Sequence, residues 1–127
     1  MPERDGILSG LFLLDMVVKT GKRPSELLDY LFSKLGPHYY DRLDVPFSPE
    51  NRLATEKRVG TQRPDALGGS KVVSRDETDG VRFMLENGAW LLIRFSGTEP
   101  LLRIYAEATS EDAVKRLLDE GRNLAGV

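Results

Sequence analysis

The first two helical patterns in the chain differ in character. From Asp5 to Thr20 the apolar residues Ile7, Leu8, Leu11, Phe12, Leu13, Leu14, Met16, Val17 and Val18 cover most of a helical circumference. Asp5 can cap the start of this helix, and Gly21 lies just past its end. A helix apolar on so many sides needs partners on several sides. From Pro24 to Leu35 the apolar positions Leu27, Leu28, Leu31, Phe32 and Leu35 form a single stripe, and Gly36-Pro37 stops the pattern.

Beyond that stop, His38 to Val45 carries Tyr39, Tyr40, Leu43 and Val45 and reads as an extended segment closed by Pro46 and Pro49. Ser48-Pro49-Glu50 combines a capping hydroxyl, a first-turn proline and a carboxylate, predicting a short helix that ends near Gly60. Residues 60–70 are turn-rich and predict a mobile loop. The period then changes to two. Lys71 to Arg75, Val81 to Glu86 and Ala89 to Phe95 read as strands, separated by turns at Asp79-Gly80 and Asn87-Gly88. A two-residue turn at Asn87-Gly88 places Val81, Phe83, Leu85, Trp90 and Leu92 on one face, the expected core. After a loop at Ser96 to Pro100 comes a strand from Leu101 to Ala108. A last helix follows, capped by Ser110, carrying Glu111 and Asp112 in its first turn and the stripe Ala113, Val114, Leu117, Leu118, Leu124 and Ala125.

These elements predict an α+β fold. From residue 38 the order is β-α-β-β-β-β-α, an antiparallel four- to five-stranded sheet with two helices on one face, preceded by two helices that lie outside it. Residues 1–37 are therefore read as the tail helix of a preceding domain plus a connecting helix, and 38–127 as the folded domain.

Composition narrows the function classes. With 127 residues, 18 Lys and Arg against 20 Asp and Glu, and a net charge of −2, the chain has no overall field for a polyanion, so nucleic acid is not an expected partner. The absence of cysteine excludes a disulfide framework and a thiolate metal site and suits a reducing compartment, with cytoplasm the expected location. Ile7 to Val18 is far shorter than the roughly 20 residues of a membrane span and is interrupted by Ser9, Gly10 and Asp15, so no membrane association is expected.

One segment carries chemistry. In Arg94-Phe95-Ser96-Gly97-Thr98-Glu99-Pro100-Leu101-Leu102-Arg103, two hydroxyls flank a glycine whose backbone can turn its N–H groups around an anion. A tight loop returns the chain so that Arg94 and Arg103 can converge on one oxyanion. The residues alone leave a second reading open: a plain turn, its arginines solvated or paired with Glu99 and Glu107. The Gly68-Gly69-Ser70-Lys71 stretch lacks the spacing of a nucleotide-binding P-loop. His38, the one histidine, and the Glu56-Lys57-Arg58 cluster are read as surface or packing residues, and Trp90 as core.

Arg94-Phe95-Ser96-Gly97-Thr98-Glu99-Pro100 followed by Leu101-Leu102-Arg103-Ile104-Tyr105-Ala106-Glu107 closely resembles the phosphate-binding loop in the fourth, C-terminal domain of the α-D-phosphohexomutases, the phosphoglucomutase/phosphomannomutase family. Glu3-Arg4-Asp5-Gly6-Ile7-Leu8 and the apolar helix after it resemble the end of that family's third domain, so the resemblance spans essentially the whole chain. It implies a fold similar to the TATA-binding-protein type and assigns substrate phosphate binding to Arg94, Ser96, Gly97, Thr98 and Arg103, with no role for Glu99. It implies a parent enzyme that interconverts hexose 1-phosphate and hexose 6-phosphate through a bisphosphorylated intermediate. The Arg103 to Glu107 strand favours glucose and mannose phosphates, although glucosamine phosphate mutases have a similar loop.

In such a parent three preceding domains supply the phosphoserine, the magnesium-binding aspartates and the sugar-reading loop, with magnesium and a hexose bisphosphate activator required. None of those motifs occurs in these residues, so no catalytic residue, metal ligand or cofactor is assigned here and the chain alone is expected to be inactive. A stand-alone anion-binding module and an interaction domain without phosphate binding are the alternatives. Ile7 to Val18, deprived of a third-domain sheet, is expected to fold onto residues 24–35 or to drive self-association.

Overall fold

A computed structural model describes residues 5–46 and 48–127. The Glu3-Arg4 end of the amino-terminal match lies outside the described residues. The chain divides into two compact units, Met1–Gly36 and Pro37–Val127.

The first unit consists of α1 (Gly6–Thr20) and α2 (Pro24–Leu35). Asp5 caps α1 through its carboxylate, which accepts the Leu8 N–H at 2.9 Å, and Gly21 closes the helix in the left-handed region. Neither helix contains a buried residue, and on α1 only Val17 is even partly covered, so the apolar circumference read from the sequence is largely exposed.

The second unit is built on one antiparallel sheet. Its elements are β1 (Tyr39–Pro46), a 3₁₀ turn (Pro49–Asn51) running into α3 (Arg52–Thr61), β2 (Ala66–Leu67), β3 (Ser70–Asp76), β4 (Val81–Leu85), β5 (Trp90–Phe95), β6 (Leu101–Ala108) and α4 (Glu111–Ala125). Spatial order is β1-β6-β5-β4-β3-β2. This is the α+β architecture expected, with six strands instead of four or five. The extra strand lies where a mobile loop was expected: Gly68 and Gly69, both at positive φ, form a tight turn that pairs Ala66 with Lys71 and Leu67 with Ser70. Leu67 is buried there, and the Gly68 N–H donates to the Glu120 carboxylate at 2.7 Å.

Alternation assigns the two faces of the sheet. Phe83, Leu91, Ile93, Leu102 and Ile104 are fully buried on one face, and Leu117 of α4 and Val59 of α3 are fully buried with them. Burying a side chain of this size contributes about 1.5–3 kcal/mol, which makes this layer the main source of the unit's stability. Ser110 caps α4 by accepting the Ala113 N–H at 3.2 Å. At its other end the Arg58 guanidinium donates to the carbonyls of Leu124 and Asn123 in the last turn, the second of which also accepts the Gly126 N–H.

The register of the β4–β5 hairpin corrects the expected core. The Leu85 N–H donates to the Ala89 carbonyl at 2.9 Å and Phe83 pairs with Leu91, so the loop holds three residues, Glu86 to Gly88, and not two. Asn87 does not adopt the positive φ that a two-residue turn of the expected type requires; Gly88 alone does. One added residue exchanges the faces of everything after it. Ala89, Leu91 and Ile93 join Val81, Phe83 and Leu85 in the core, while Trp90 and Leu92, expected there, stand on the opposite face. On that face Trp90 is half-buried, with the Arg82 guanidinium 5.1 Å from its ring centre and the Tyr40 ring 6.2 Å away.

Candidate anion-binding loop

Strands β5 and β6 are paired to their ends, with Phe95 opposite Leu102 and Arg94 directly opposite Arg103. The alternation that buries Ile93, Leu102 and Ile104 sends both arginines to the face of the sheet away from α3 and α4. Like charges directly across an antiparallel pair repel. Carboxylates offset that repulsion: Asp79 lies 3.1 Å from Arg94 Nε, Glu99 is paired with Arg103 Nη2, and Asp44 stands 3.9 Å from Arg103 Nε. Arg103 Nε is itself buried without a hydrogen-bond partner. Of the partners named for the turn-only reading, Glu99 meets Arg103, whereas Glu107 lies 3.0 Å from His38 Nδ1, and Arg94 finds Asp79 on a neighbouring turn.

The loop above this pair, Ser96 to Pro100, is held by its own backbone. Ser96 is 4% exposed; its N–H donates to the Leu101 carbonyl at 2.9 Å and its hydroxyl accepts the Glu99 N–H at 3.3 Å. The Leu101 N–H in turn donates to the Glu99 carbonyl at 2.8 Å. These bonds engage two of the loop's N–H donors, those of Ser96 and Glu99, and the N–H of Leu101 at the start of β6. Among the described residues, the N–H groups of Gly97 and Thr98 donate to nothing, and both residues are exposed. Gly97 does not need a positive φ here, and a Cβ added to it would meet nothing within 4 Å. The loop as folded therefore does not require a glycine, so what its small size provides is open approach to the Gly97 backbone.

Arg52, at the start of α3, reaches the loop from the helical side. Its Nη1 donates to the Ser96 carbonyl at 3.3 Å, its Nε to Glu56 Oε1 at 2.7 Å, and its guanidinium carbon lies 5.4 Å from the centre of the Phe95 ring. Arg52, Glu56, Val59, Asp79, Arg94 and Phe95 are among the residues lining a cavity of about 340 Å³ beside the loop. At the β3–β4 turn the Thr78 hydroxyl, and then its N–H, hydrogen-bond to Asp76 and hold that carboxyl below the usual carboxylate range. This bracing shapes the turn that carries Asp79.

The five residues named from the sequence thus occupy one place, with Arg94 and Arg103 beneath the loop and Ser96, Gly97 and Thr98 in it. Two cations and two unpaired N–H groups are suited to a multiply charged oxyanion. Asp79, Asp44 and Arg52 were missed by sequence reasoning. Only the pairing of distant strands brings the two aspartates near the arginines, and nothing in the local pattern marks Arg52. Among the described residues no group of three carboxylate, histidine or cysteine side chains could hold a metal ion. No helix among them is long and apolar enough to cross a membrane.

Residues 50–124 match the family model described as phosphoglucomutase/phosphomannomutase, C-terminal domain. The phosphoglucomutase/phosphomannomutase of Thermococcus kodakarensis is 32% identical over 121 residues, covering 95% of this chain and 24% of that protein. The phosphoglucosamine mutase of Methanocaldococcus jannaschii is 38% identical over 121 residues, covering 94% of this chain and 25% of its own length. A probable phosphoglucosamine mutase of Methanopyrus kandleri is 36% identical over 118 residues, or 91% of this chain and 24% of that protein. The chain spans about a quarter of the length of these curated relatives.

Proposed function

The chain belongs to the family of phosphoglucomutase/phosphomannomutase C-terminal domains, and from that premise we propose that Arg94, Ser96, Gly97, Thr98 and Arg103 grip the phosphate of a hexose phosphate. The observation that carries this reading is the directly opposed pair Arg94 and Arg103 beneath a loop with two unpaired N–H groups. A phosphate dianion replaces neighbouring carboxylates as the counter-charge of the two arginines and accepts from the Gly97 and Thr98 amides, while the Ser96 hydroxyl keeps its own proton to donate.

In a longer parent enzyme this grip acts on the phosphate that is not being transferred. Holding a remote, non-reacting group supplies positioning for the transfer between the 1- and 6-hydroxyls. Release and renewed grip let a bisphosphorylated intermediate reorient between the two half-reactions. The phosphorylated serine, the sugar-reading loop and magnesium belong, in this reading, to the three preceding domains; the described residues offer magnesium no donor set. The substrate class is hexose phosphate, amino sugars included, because relatives named phosphoglucosamine mutase are as similar as the phosphoglucomutase/phosphomannomutase. The cytoplasm, where sugar phosphates are made and used, is the location this function requires. The isolated chain contributes binding without turnover.

An amide-resolved NMR titration of the full chain with inorganic phosphate and with glucose 6-phosphate tests the reading. Ser96, Gly97 and Thr98 should respond at millimolar ligand, and Arg94→Ala or Arg103→Ala should weaken binding about tenfold or more, as loss of a charge-assisted hydrogen bond does. Silent loop amides, or binding that both variants preserve, would remove the phosphate site. Conversion of glucose 1-phosphate by the purified chain would overturn the assignment of catalysis to the missing domains.

A further inference from the structure

We propose that Arg52 is a positioning residue for this loop, orienting the Ser96–Gly97 peptide so that the Gly97 N–H faces the bound anion; the inference rests on the phosphate-binding reading above. Two side chains hold the Arg52 guanidinium in place. Glu56, one helical turn along α3, accepts from its Nε at 2.7 Å, and the Phe95 ring lies 5.4 Å from its carbon. Held there, Nη1 donates to the Ser96 carbonyl at 3.3 Å. A trans peptide is planar, with its C=O and N–H on opposite sides, and no described peptide bond is cis. Drawing the Ser96 carbonyl towards α3 therefore directs the Gly97 N–H away from α3, to the side of the sheet on which Arg94 and Arg103 stand.

The loop's own hydrogen bonds do not do this. They fix the Ser96 N–H and hydroxyl and the Glu99 amide, and leave the plane of the Ser96–Gly97 peptide to two torsions. Gly97 has no Cβ to restrict its torsion, so this peptide can flip unless its carbonyl is held. Arg52 is the one described group whose hydrogen bond holds it. The role is indirect: Arg52 reaches the ligand through a backbone carbonyl and fixes the direction of a donor before the ligand arrives, so that less ordering remains to oppose binding.

Arg52→Ala, Arg52→Gln and Arg52→Lys variants of the 127-residue chain, with Arg94→Ala as control, separate the possibilities. Without ligand, 15N relaxation and residual dipolar couplings should show the Gly97 amide ordered in the parent chain and averaged in Arg52→Ala and Arg52→Gln, with Val59 and the β5–β6 amides unmoved. Inorganic phosphate affinity should fall about tenfold in both, the effect of losing one charge-assisted hydrogen bond. Arg52→Lys keeps the charge but lacks the fork that spans Glu56 and Ser96, so it should restore a minor part of the loss. Full restoration by lysine would reduce Arg52 to a distant charge and overturn the proposal. A Gly97 amide that stays ordered in the alanine and glutamine variants, or unchanged affinity, would overturn it equally. Binding lost in Arg94→Ala but kept in Arg52→Ala would sink the Arg52 role alone, whereas silent loop amides in the parent chain would sink the phosphate site and this role with it.

Discussion

In the proposed site, Glu99 would compete with an incoming anion for the Arg103 guanidinium. The Glu99 carboxylate is paired with Arg103 Nη2 and its side chain is half-exposed. An exposed pair of this kind is worth roughly 0.2–1 kcal/mol, enough to oppose phosphate but not to exclude it. Glu99→Gln should therefore tighten inorganic phosphate by up to about fivefold, read by the same titration, and leave thermal stability nearly unchanged. Weaker binding would mean that Glu99 helps to hold the ligand or its loop. The sequence placed Glu99 beside the candidate site without a role; its pairing with Arg103 follows from the side chain's position.

At the scale of elements, the close seating of α4 on the sheet depends on a helical glycine. A Cβ at Gly121 would lie 2.6 Å from Ile104 Cγ2 and 3.1 Å from Leu91 Cδ1, both fully buried side chains of the core layer. Ile104 is β-branched, and the contacting methyl cannot swing away as a long side chain would. Gly121→Ala should therefore destabilise the second unit by about 1–3 kcal/mol in urea unfolding, although alanine is the better helix former by about 1 kcal/mol. A stabilised variant would show that α4 shifts freely on the sheet. The β4–β5 hairpin teaches a related lesson. Its existence, and the core side of β4, were legible from Asn87-Gly88 and the alternation of Val81, Phe83 and Leu85. Its register was not, because one residue of loop length decides whether Trp90 or Leu91 faces inward, and both are apolar.

For the molecule as a whole, the exposed helix α1 is the feature that does not suit an independent chain. Ile7 is 80% exposed, and Leu11, Phe12 and Leu14 are each more than half exposed. Patches of this kind mark interfaces, and in a longer parent α1 would pack on a preceding domain. In the isolated chain it should pair copies. Deleting residues 1–20 should yield a monomer by sedimentation that keeps cooperative unfolding and any phosphate binding of the longer chain; an unfolded product would mean that α1 belongs to the core of the second unit.

The sequence by itself determined the α+β class, the position of nearly every helix and strand, and the segment in which the candidate site lies. Helical stripes, strand alternation, caps and a glycine between two hydroxyls are local features, and short-range chemistry writes them into adjacent residues. Tertiary structure alone decided which face of β5 is the core, that Gly68-Gly69 extends the sheet, and that Asp79, Asp44 and Arg52 attend the loop. Those outcomes depend on strand register and on contacts such as Arg52 to the Ser96 carbonyl, 44 residues away in sequence, which exist only after the sheet and α3 have packed.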